Sequence, residues 1–353
     1  MGTSLVLLFL TWIASAQVPP GYYDPANGLV GQPLQTALHN IIKGHTVASY
    51  SSLWTHFQST DKRANGTVWD MYSDVPGGSS PYNYQFGSDQ CGNYSSEGDC
   101  YNREHSWPKS WFGDIAPMNS DIFHIYPTDG YVNGKRDNYP YGEVGTATWT
   151  SMNGCKLGSS TVTGYSGVVF EPLDAYKGDF ARTYFYMSVR YYTEDGGWPG
   201  SPMTNGSQLK PWAMQMMLQW NNDDPVSQKE IDRNNYVYSQ VQHNRNPFID
   251  NPDFAEAIWG SPTANSEVES LIHLTIFPTP AQQQCTITLP ESMKGKSMNL
   301  TAISLTGNAI PLQMTPGYGA LSVSIQNLDP GFYFVILRTI EGDFTYSGKL
   351  IKE

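Results

Sequence analysis

The spacing of apolar residues changes once along the chain, and that change constrains the fold more than any other feature. Between about 30 and 260, outside a stretch at 64–170, it is helical. Pro33 opens a run with Leu34, Ala37, Leu38, Ile41 and Ile42 that Gly44 ends, and a second run carries Leu53, Trp54 and Phe57. Phe180, Tyr184, Met187 and Tyr191 share one face over 179–192, and Leu209, Trp212, Met216 and Trp220 mark another helix. Ser227-Gln-Lys-Glu230 is a capping box opening a helix with Ile231, Tyr238 and Val241. A last short helix starts at Asn251-Pro252 and stops at Gly260. The composition shifts at Ser261-Pro-Thr-Ala-Asn-Ser266, and beyond about 275 apolar residues alternate with polar ones, as in Leu321, Val323 and Ile325 or Ile287 and Leu289. Turn signals such as Thr306-Gly-Asn308 and Asp329-Pro-Gly331 separate these runs. The two periods demand two domains: an α+β domain, then a small all-β sandwich. Between about 64 and 170 the chain is rich in Gly, Asn, Tyr and Ser and reads as loops and short strands.

Composition narrows the class. Aromatics make up 13% of the 353 residues, which excludes disorder as the overall state. The net charge is −12, and residues 17–260 carry 15 basic and 25 acidic side chains. That excludes coating nucleic acid through bulk charge, but not an enzyme that grips one phosphate locally.

Residues 4–14 form an apolar run followed by Ser15-Ala16-Gln17, an h-region with an A-x-A-like cleavage site at Ala14 and Ala16. It is too short for a membrane span and reads as an export signal, although no Lys or Arg precedes it. No later stretch reads as transmembrane. Cys91 and Cys100 bracket a short loop, and a bridge there would contribute about 2–3 kcal/mol in the chain-entropy model. No second Cys/His pair stands at zinc-site spacing, and Cys155 and Cys285 are expected to be free.

Polar chemistry concentrates in two segments, 102–111 and 121–139. The first places Glu104 beside His105; adjacent side chains of a strand point to opposite faces, so both serve one site only where the backbone turns, as at a strand end. The second supplies Asn133, Arg136 and Asn138, with Asn133 lying 28 residues beyond His105; a β-hairpin followed by a helix would close that gap. These residue types suit phosphodiester hydrolysis. Glu and Asn oxygens favour Mg²⁺, Ca²⁺ or Mn²⁺ over zinc, a neutral imidazole can take a proton from water, and a guanidinium can clamp phosphate.

The words around these residues are more specific. Arg103-Glu-His-Ser-Trp-Pro, Pro127-Thr-Asp-Gly-Tyr-Val-Asn-Gly-Lys-Arg136, Ala181-Arg-Thr-Tyr-Phe-Tyr-Met187 and Gln242-His-Asn-Arg-Asn-Pro-Phe248 together resemble the bacterial endonuclease I family of secreted and periplasmic nucleases. The resemblance implies a ββα-metal (His-Me finger) core surrounded by helices and sequence-independent cleavage of DNA, often RNA too, leaving a 5′-phosphate. Carried over, His105 is the general base, Glu104 and Asn133 are metal ligands, with Asn138 as a further ligand or ligand-orienting residue, and Arg136 contacts phosphate. Mg²⁺ is the expected ion, with Ca²⁺ or Mn²⁺ as alternatives. Arg103, Arg182, Gln242 and Asn244 are candidate substrate contacts. Phe123 and His243 depart from the family pattern, which often has a histidine and a glycine at these positions. The tail, Phe277-Pro-Thr-Pro-Ala281, Gly331-Phe-Tyr-Phe-Val-Ile-Leu337 and Tyr346-Ser-Gly-Lys-Leu-Ile-Lys352, resembles the C-terminal sorting domain of the type IX secretion system. The implied division is a signal peptide (1–16), a nuclease domain (17–262), a linker (263–275) and a sorting β-sandwich (276–353). The partners implied are nucleic acid and the secretion machinery, and the expected state is a secreted monomer.

Plainer roles compete for the same residues. Glu104 could pair with Arg103, Asn133-Gly134 could be a turn, and His124 between Phe123 and Ile125 suits a buried, hydrogen-bonded histidine. Arg182 could pair with Asp174 or Asp179, Gln242, Asn244 and Asn246 could cap a helix and orient a loop, and Asp70 and Asp74 could be hydrogen-bonded loop residues. At the level of the whole chain, the alternatives are a secreted binding or adhesion protein with a decayed site, or a phosphodiesterase acting on small nucleotides.

Overall fold

The computed structural model describes residues 18–260, 274–289, 297–304, 308–317, 319–339 and 345–353. The export signal and the composition shift at 261–266 lie outside them. The chain forms two compact units, one from Met1–Ser261 and one from Pro262–Glu353.

The first unit is built around α5 (Lys177–Arg190), in which every residue is buried. Burying side chains such as Phe180, Phe185 and Met187 contributes about 1.5–3 kcal/mol each. Against α5 pack α1 (Gly31–Ile42), α6 (Pro211–Asp223) and α8 (Pro247–Asp250). α1 starts two residues before Pro33 and buries Leu34, Leu38 and Ile42, one per turn. α2 (Leu53–Thr60) packs on α7 (Gln228–Tyr236), whose capping box is formed: Ser227 Oγ accepts from Glu230 N, and Glu230 accepts from Ser227 N. α9 (Asp253–Trp259) closes the unit.

The stretch read as loops and short strands holds more order than expected. β1 (Tyr101–His105) pairs antiparallel with β2 (Ile125–Asp129), in a register that sets Tyr101 opposite Asp129 and His105 opposite Ile125. The short helix α3 (Lys109–Phe112) lies in their connection. α4 (Gly130–Arg136) follows β2 directly, because the Asp129 carboxylate accepts from Val132 N at 2.8 Å and caps it. β3 (Val144–Thr150), β4 (Lys156–Ser160) and β5 (Val168–Glu171) form a sheet with β3 at one edge, and β6 (Thr204–Asn205) pairs with β7 (Gln208–Leu209).

The second unit is all-β, as its alternation requires. One sheet joins β12 (Gln313–Pro316), β13 (Ala320–Ser324), β9 (Gln284–Thr288) and β8 (Thr275–Phe277). The other joins β11 (Ala309–Pro311), β10 (Met298–Ser304), β14 (Gly331–Thr339) and β15 (Thr345–Lys352). Their inward residues, among them Ile287, Val323, Val335 and Leu350, form its core. Cys91 and Cys100 are bridged, and Cys155 and Cys285 are free and buried. Among the described residues no helix is long and apolar enough to cross a membrane.

Candidate active site

β1 ends at His105, and the chain turns there into Ser106. Glu104 and His105 therefore line one cavity of about 430 Å³ although they are adjacent. Arg103, Asn133, Arg136 and Asn138 line it too, with Asn133 and Arg136 on α4 and Asn138 just beyond its end. Tyr50, Tyr94, Lys109 and Asp137 are part of the wall as well.

His105 is buried, with its ring 5.3 Å from that of His124 and 5.7 Å from that of Tyr50. Its Nε2 lies 3.2 Å from the carbonyl oxygen of Asn119. A carbonyl only accepts, so Nε2 carries the proton and Nδ1 holds the lone pair. Among the described residues Nδ1 takes no hydrogen bond. Burial holds the ring's pKa well below the ordinary histidine value, and the neighbouring His124 adds to the effect, so the imidazole is neutral.

Glu104 is buried beneath it. Its Oε1 accepts from Arg136 Nη1 at 2.9 Å and from Tyr72 OH at 3.0 Å, and Tyr72 meets Tyr141 OH at 2.6 Å. Burial pushes the carboxyl up to about 7 against the opposing pull of Arg136. Arg136 is fully buried and also donates to the carbonyls of His105 and Ser106 and to Tyr184 OH. It fastens Glu104 to the turn after His105, so its guanidinium is a positioning group here rather than an open phosphate clamp. Arg103 does not pair with Glu104. Its guanidinium lies 3.6 Å from the ring centre of Tyr50 and 4.5 Å from that of Trp54, with Nη1 donating to Tyr50 O, and no carboxylate pairs with it among the described residues.

Asn133 sits within α4, not in a turn. Its Nδ2 donates to Asn102 Oδ1 at 2.7 Å, leaving its own Oδ1 as an acceptor without that partner. Among the described residues no group of three or more His, Cys, Asp and Glu could hold a metal ion. The donor set in the cavity is instead the buried Glu104 carboxylate and neutral amide oxygens, with the Asp137 carboxylate also on the wall. These are hard oxygen ligands that suit Mg²⁺, Mn²⁺ or Ca²⁺, with water and phosphate oxygens filling the other positions.

Arg182, Gln242 and Asn244 lie outside this cavity. Arg182 is fully buried and paired through Nε and Nη2 with both carboxylate oxygens of Glu230, and only distantly with Asp179 at 4.0 Å. Gln242 accepts from Ile122 N at 2.7 Å and donates to Asp121, so it fixes the segment that leads into β2, while Asn244 donates to Ile42 O and Tyr186 OH and ties its loop to α1 and α5. Asn246 caps α8 through Phe248 N. His124 is buried with Nε2 2.7 Å from Met118 O. Phe123 packs on Tyr186 at 4.6 Å, and His243 adopts φ +61°, a left-handed conformation that glycine takes freely. Asp70 accepts from the backbone N–H groups of Tyr72 and Asp129, and Asp74 pairs with Arg63. Sequence reasoning missed Tyr50, Tyr72, Tyr94 and Asn102, whose roles depend on contacts between distant segments; only Asn102, within the quoted first segment, carried a local signal.

Comparison with known proteins gives the family. The Endonuclease I family model matches residues 30–253, and the Secretion system C-terminal sorting domain model matches residues 275–353. The extracellular ribonuclease of Bacillus amyloliquefaciens is 39% identical over 246 residues, 67% of this chain and 78% of its own length. That of Bacillus subtilis is 37% identical over the same span and shares. A periplasmic deoxyribonuclease of Aeromonas hydrophila is 26% identical over 137 residues, 39% of this chain and 50% of its own. The C-terminal match makes this an exported protein. With a family model spanning most of the first unit, and relatives matched over more than three-quarters of their length, the chain belongs to the endonuclease I family and is an endonuclease.

Proposed function

We propose that this chain is a secreted, divalent-metal-dependent endonuclease that hydrolyses DNA, and RNA as well, without sequence preference and leaves 5′-phosphate ends. The observation that carries this reading is the convergence of Glu104, His105 and Asn133 on one cavity from a β1–β2–α4 unit, which supports a His-Me finger core. Glu104 and Asn133, with Asn138 beside them, would hold the ion, Mg²⁺ in the first place. A bound divalent ion would supply charge stabilisation to the phosphoryl oxygen and to the leaving 3′-oxygen.

The chain's own groups do the rest. Nδ1 of His105 takes the proton of the attacking water, and the Nε2–H bond to Asn119 O steadies the imidazolium as it forms. Arg103, flattened against Tyr50, offers its remaining N–H groups to the phosphate. Arg136 keeps Glu104 in place. One pair of relatives is named for ribonuclease and another protein for deoxyribonuclease, which supports a site that reads the phosphodiester more than the sugar. Export would use the signal peptide at 1–16 and the sorting sandwich at 276–353, with the nuclease domain over 17–262 acting as a monomer.

The test is supercoiled-plasmid nicking with Mg²⁺, with EDTA, and by His105→Ala. Nicking that needs the metal and falls about 10²–10⁴-fold in the variant is expected. A folded chain that binds divalent ions yet nicks with none of Mg²⁺, Mn²⁺ and Ca²⁺ would be a binding protein with a decayed site.

A further inference from the structure

We propose that Tyr94, Tyr131 and Trp149, together with Lys135, form a stacking row for unpaired bases that leads away from the cleavage cavity and makes the enzyme prefer single-stranded over duplex substrate. The proposal rests on the cleavage reading above and assigns the form of its substrate.

The row begins in the cavity wall with Tyr94. Its ring centre lies 6.5 Å from that of Tyr131, which lies 6.4 Å from that of Trp149 on β3. Tyr94 is 37% exposed, and Tyr131 and Trp149 are half-buried, so these rings keep open surface that core aromatics do not. The neighbouring β3 residues Thr146, Ala147 and Thr148 are exposed, and β3 is an edge strand. Lys135 Nζ stands 5.1 Å from the centre of the Tyr131 ring and makes no ion pair among the described residues, a cation beside the row where a backbone phosphate could run.

Tyr94 is built into its place. A Cβ at Gly130 would lie 2.5 Å from its Cδ1, and one at Gly134 would lie 2.7 Å from its hydroxyl oxygen, so α4 can carry no side chain where this ring lies. The loop that holds it is closed by the Cys91–Cys100 bridge and tied to the start of α4 by Gly98 N to Asp129 and Gly130 N to Cys100 O. A ring fixed before binding loses little freedom when a base stacks on it.

Charge points the same way. With 15 basic against 25 acidic side chains over 17–260, the first unit has no groove that could hold a polymer by phosphate contacts alone. Stacking supplies affinity without net charge, about 5- to 150-fold per base. The bases of a duplex already stack on one another, so only an unpaired strand can use the row.

The experiment uses the full chain carrying His105→Ala, in EDTA, and measures the fluorescence anisotropy of labelled oligo-dT, oligo-U and a duplex of equal length. Tighter binding of the unpaired strands is expected, with dT and U reporting which sugar is favoured. Adding Tyr131→Ala or Trp149→Ala should weaken unpaired strands about 5- to 30-fold and leave the duplex unchanged, while Tyr131→Phe keeps the wild-type affinity. In the active enzyme the same alanine variants should raise KM on single strands while kcat holds. Equal affinity for both forms, or a fall in kcat with KM unmoved, would overturn the row. If metal-dependent nicking persists in that case, only the row is lost; if nicking itself is absent, the cleavage reading fails, and the anisotropy still decides the row.

Discussion

Arg136 shows how far the contact of a side chain can lie from the one its sequence neighbours suggest. In sequence, a guanidinium three residues from Asn133 reads as a phosphate clamp; in the fold its partner is Glu104, 32 residues earlier, at 2.9 Å. No local pattern distinguishes the two, because both call for the same permanently charged, many-donor group. The pairing has a measurable consequence. Arg136→Met should cost about 3–5 kcal/mol in urea denaturation at pH 8, where Glu104 is buried without its countercharge and keeps only the Tyr72 hydroxyl. The loss should shrink at pH 5, where Glu104 can take up a proton instead. On the proposed mechanism, with Glu104 as a metal ligand, Glu104 also sets the acid limb of activity. Its carboxyl sits at about 7, so the proton and the metal compete for it: nicking should fall as pH drops below about 7, and the midpoint should move to lower pH as Mg²⁺ is raised. A midpoint indifferent to Mg²⁺ would place the titrating group elsewhere. His105 does not produce this limb, because its pKa is held well below the ordinary value.

The elements were legible in proportion to their length and periodicity. α1, α2, α5, α6 and α7 show helical spacing, and the capping box at Ser227 gives the start of α7 outright. Ser227→Ala should lower stability by about 1 kcal/mol, a fall of about 2–4 °C in Tm. α4 is expected from the sequence only as the helix that follows the hairpin, with no periodicity to mark it, because its seven residues include Gly130 and Gly134, each unfavourable in a helix by about 1 kcal/mol relative to Ala. It forms through the Asp129 cap and its junction with β2, and it keeps those glycines for Tyr94. Gly134→Ala should therefore lower kcat/KM while leaving Tm unchanged or higher, since the helix gains propensity as the ring is displaced. β3 was illegible for a different reason: Gly145 to Thr148 are exposed on both faces, so no alternation marks the strand. Glu230 was read as a cap and is one, yet it also holds Arg182, 48 residues away, a second role that spacing does not encode.

At the scale of the molecule, each unit has its own hydrophobic core. A chain ending at Gly260 should nick plasmid with the full-length kcat/KM and fail to be exported; a large loss of activity would show that the tail contributes to catalysis. The net charge of −12 makes a shallow salt dependence the expectation, a slope matching roughly 2–4 neutralised phosphates at about 0.9 each on duplex DNA. A steeper slope would require cations beyond Arg103, Lys109 and Lys135. The Glu104–Arg136 pair gives this balance its meaning. Because the carboxylate is already neutralised by its own arginine, an ion seated beside it keeps nearly all of its charge for the substrate. On the proposed mechanism, this acidic protein borrows its electropositive surface from the medium. Its grip on the scissile phosphate would then rise and fall with the hardness of the surrounding water, and ion and phosphate would each strengthen the hold on the other.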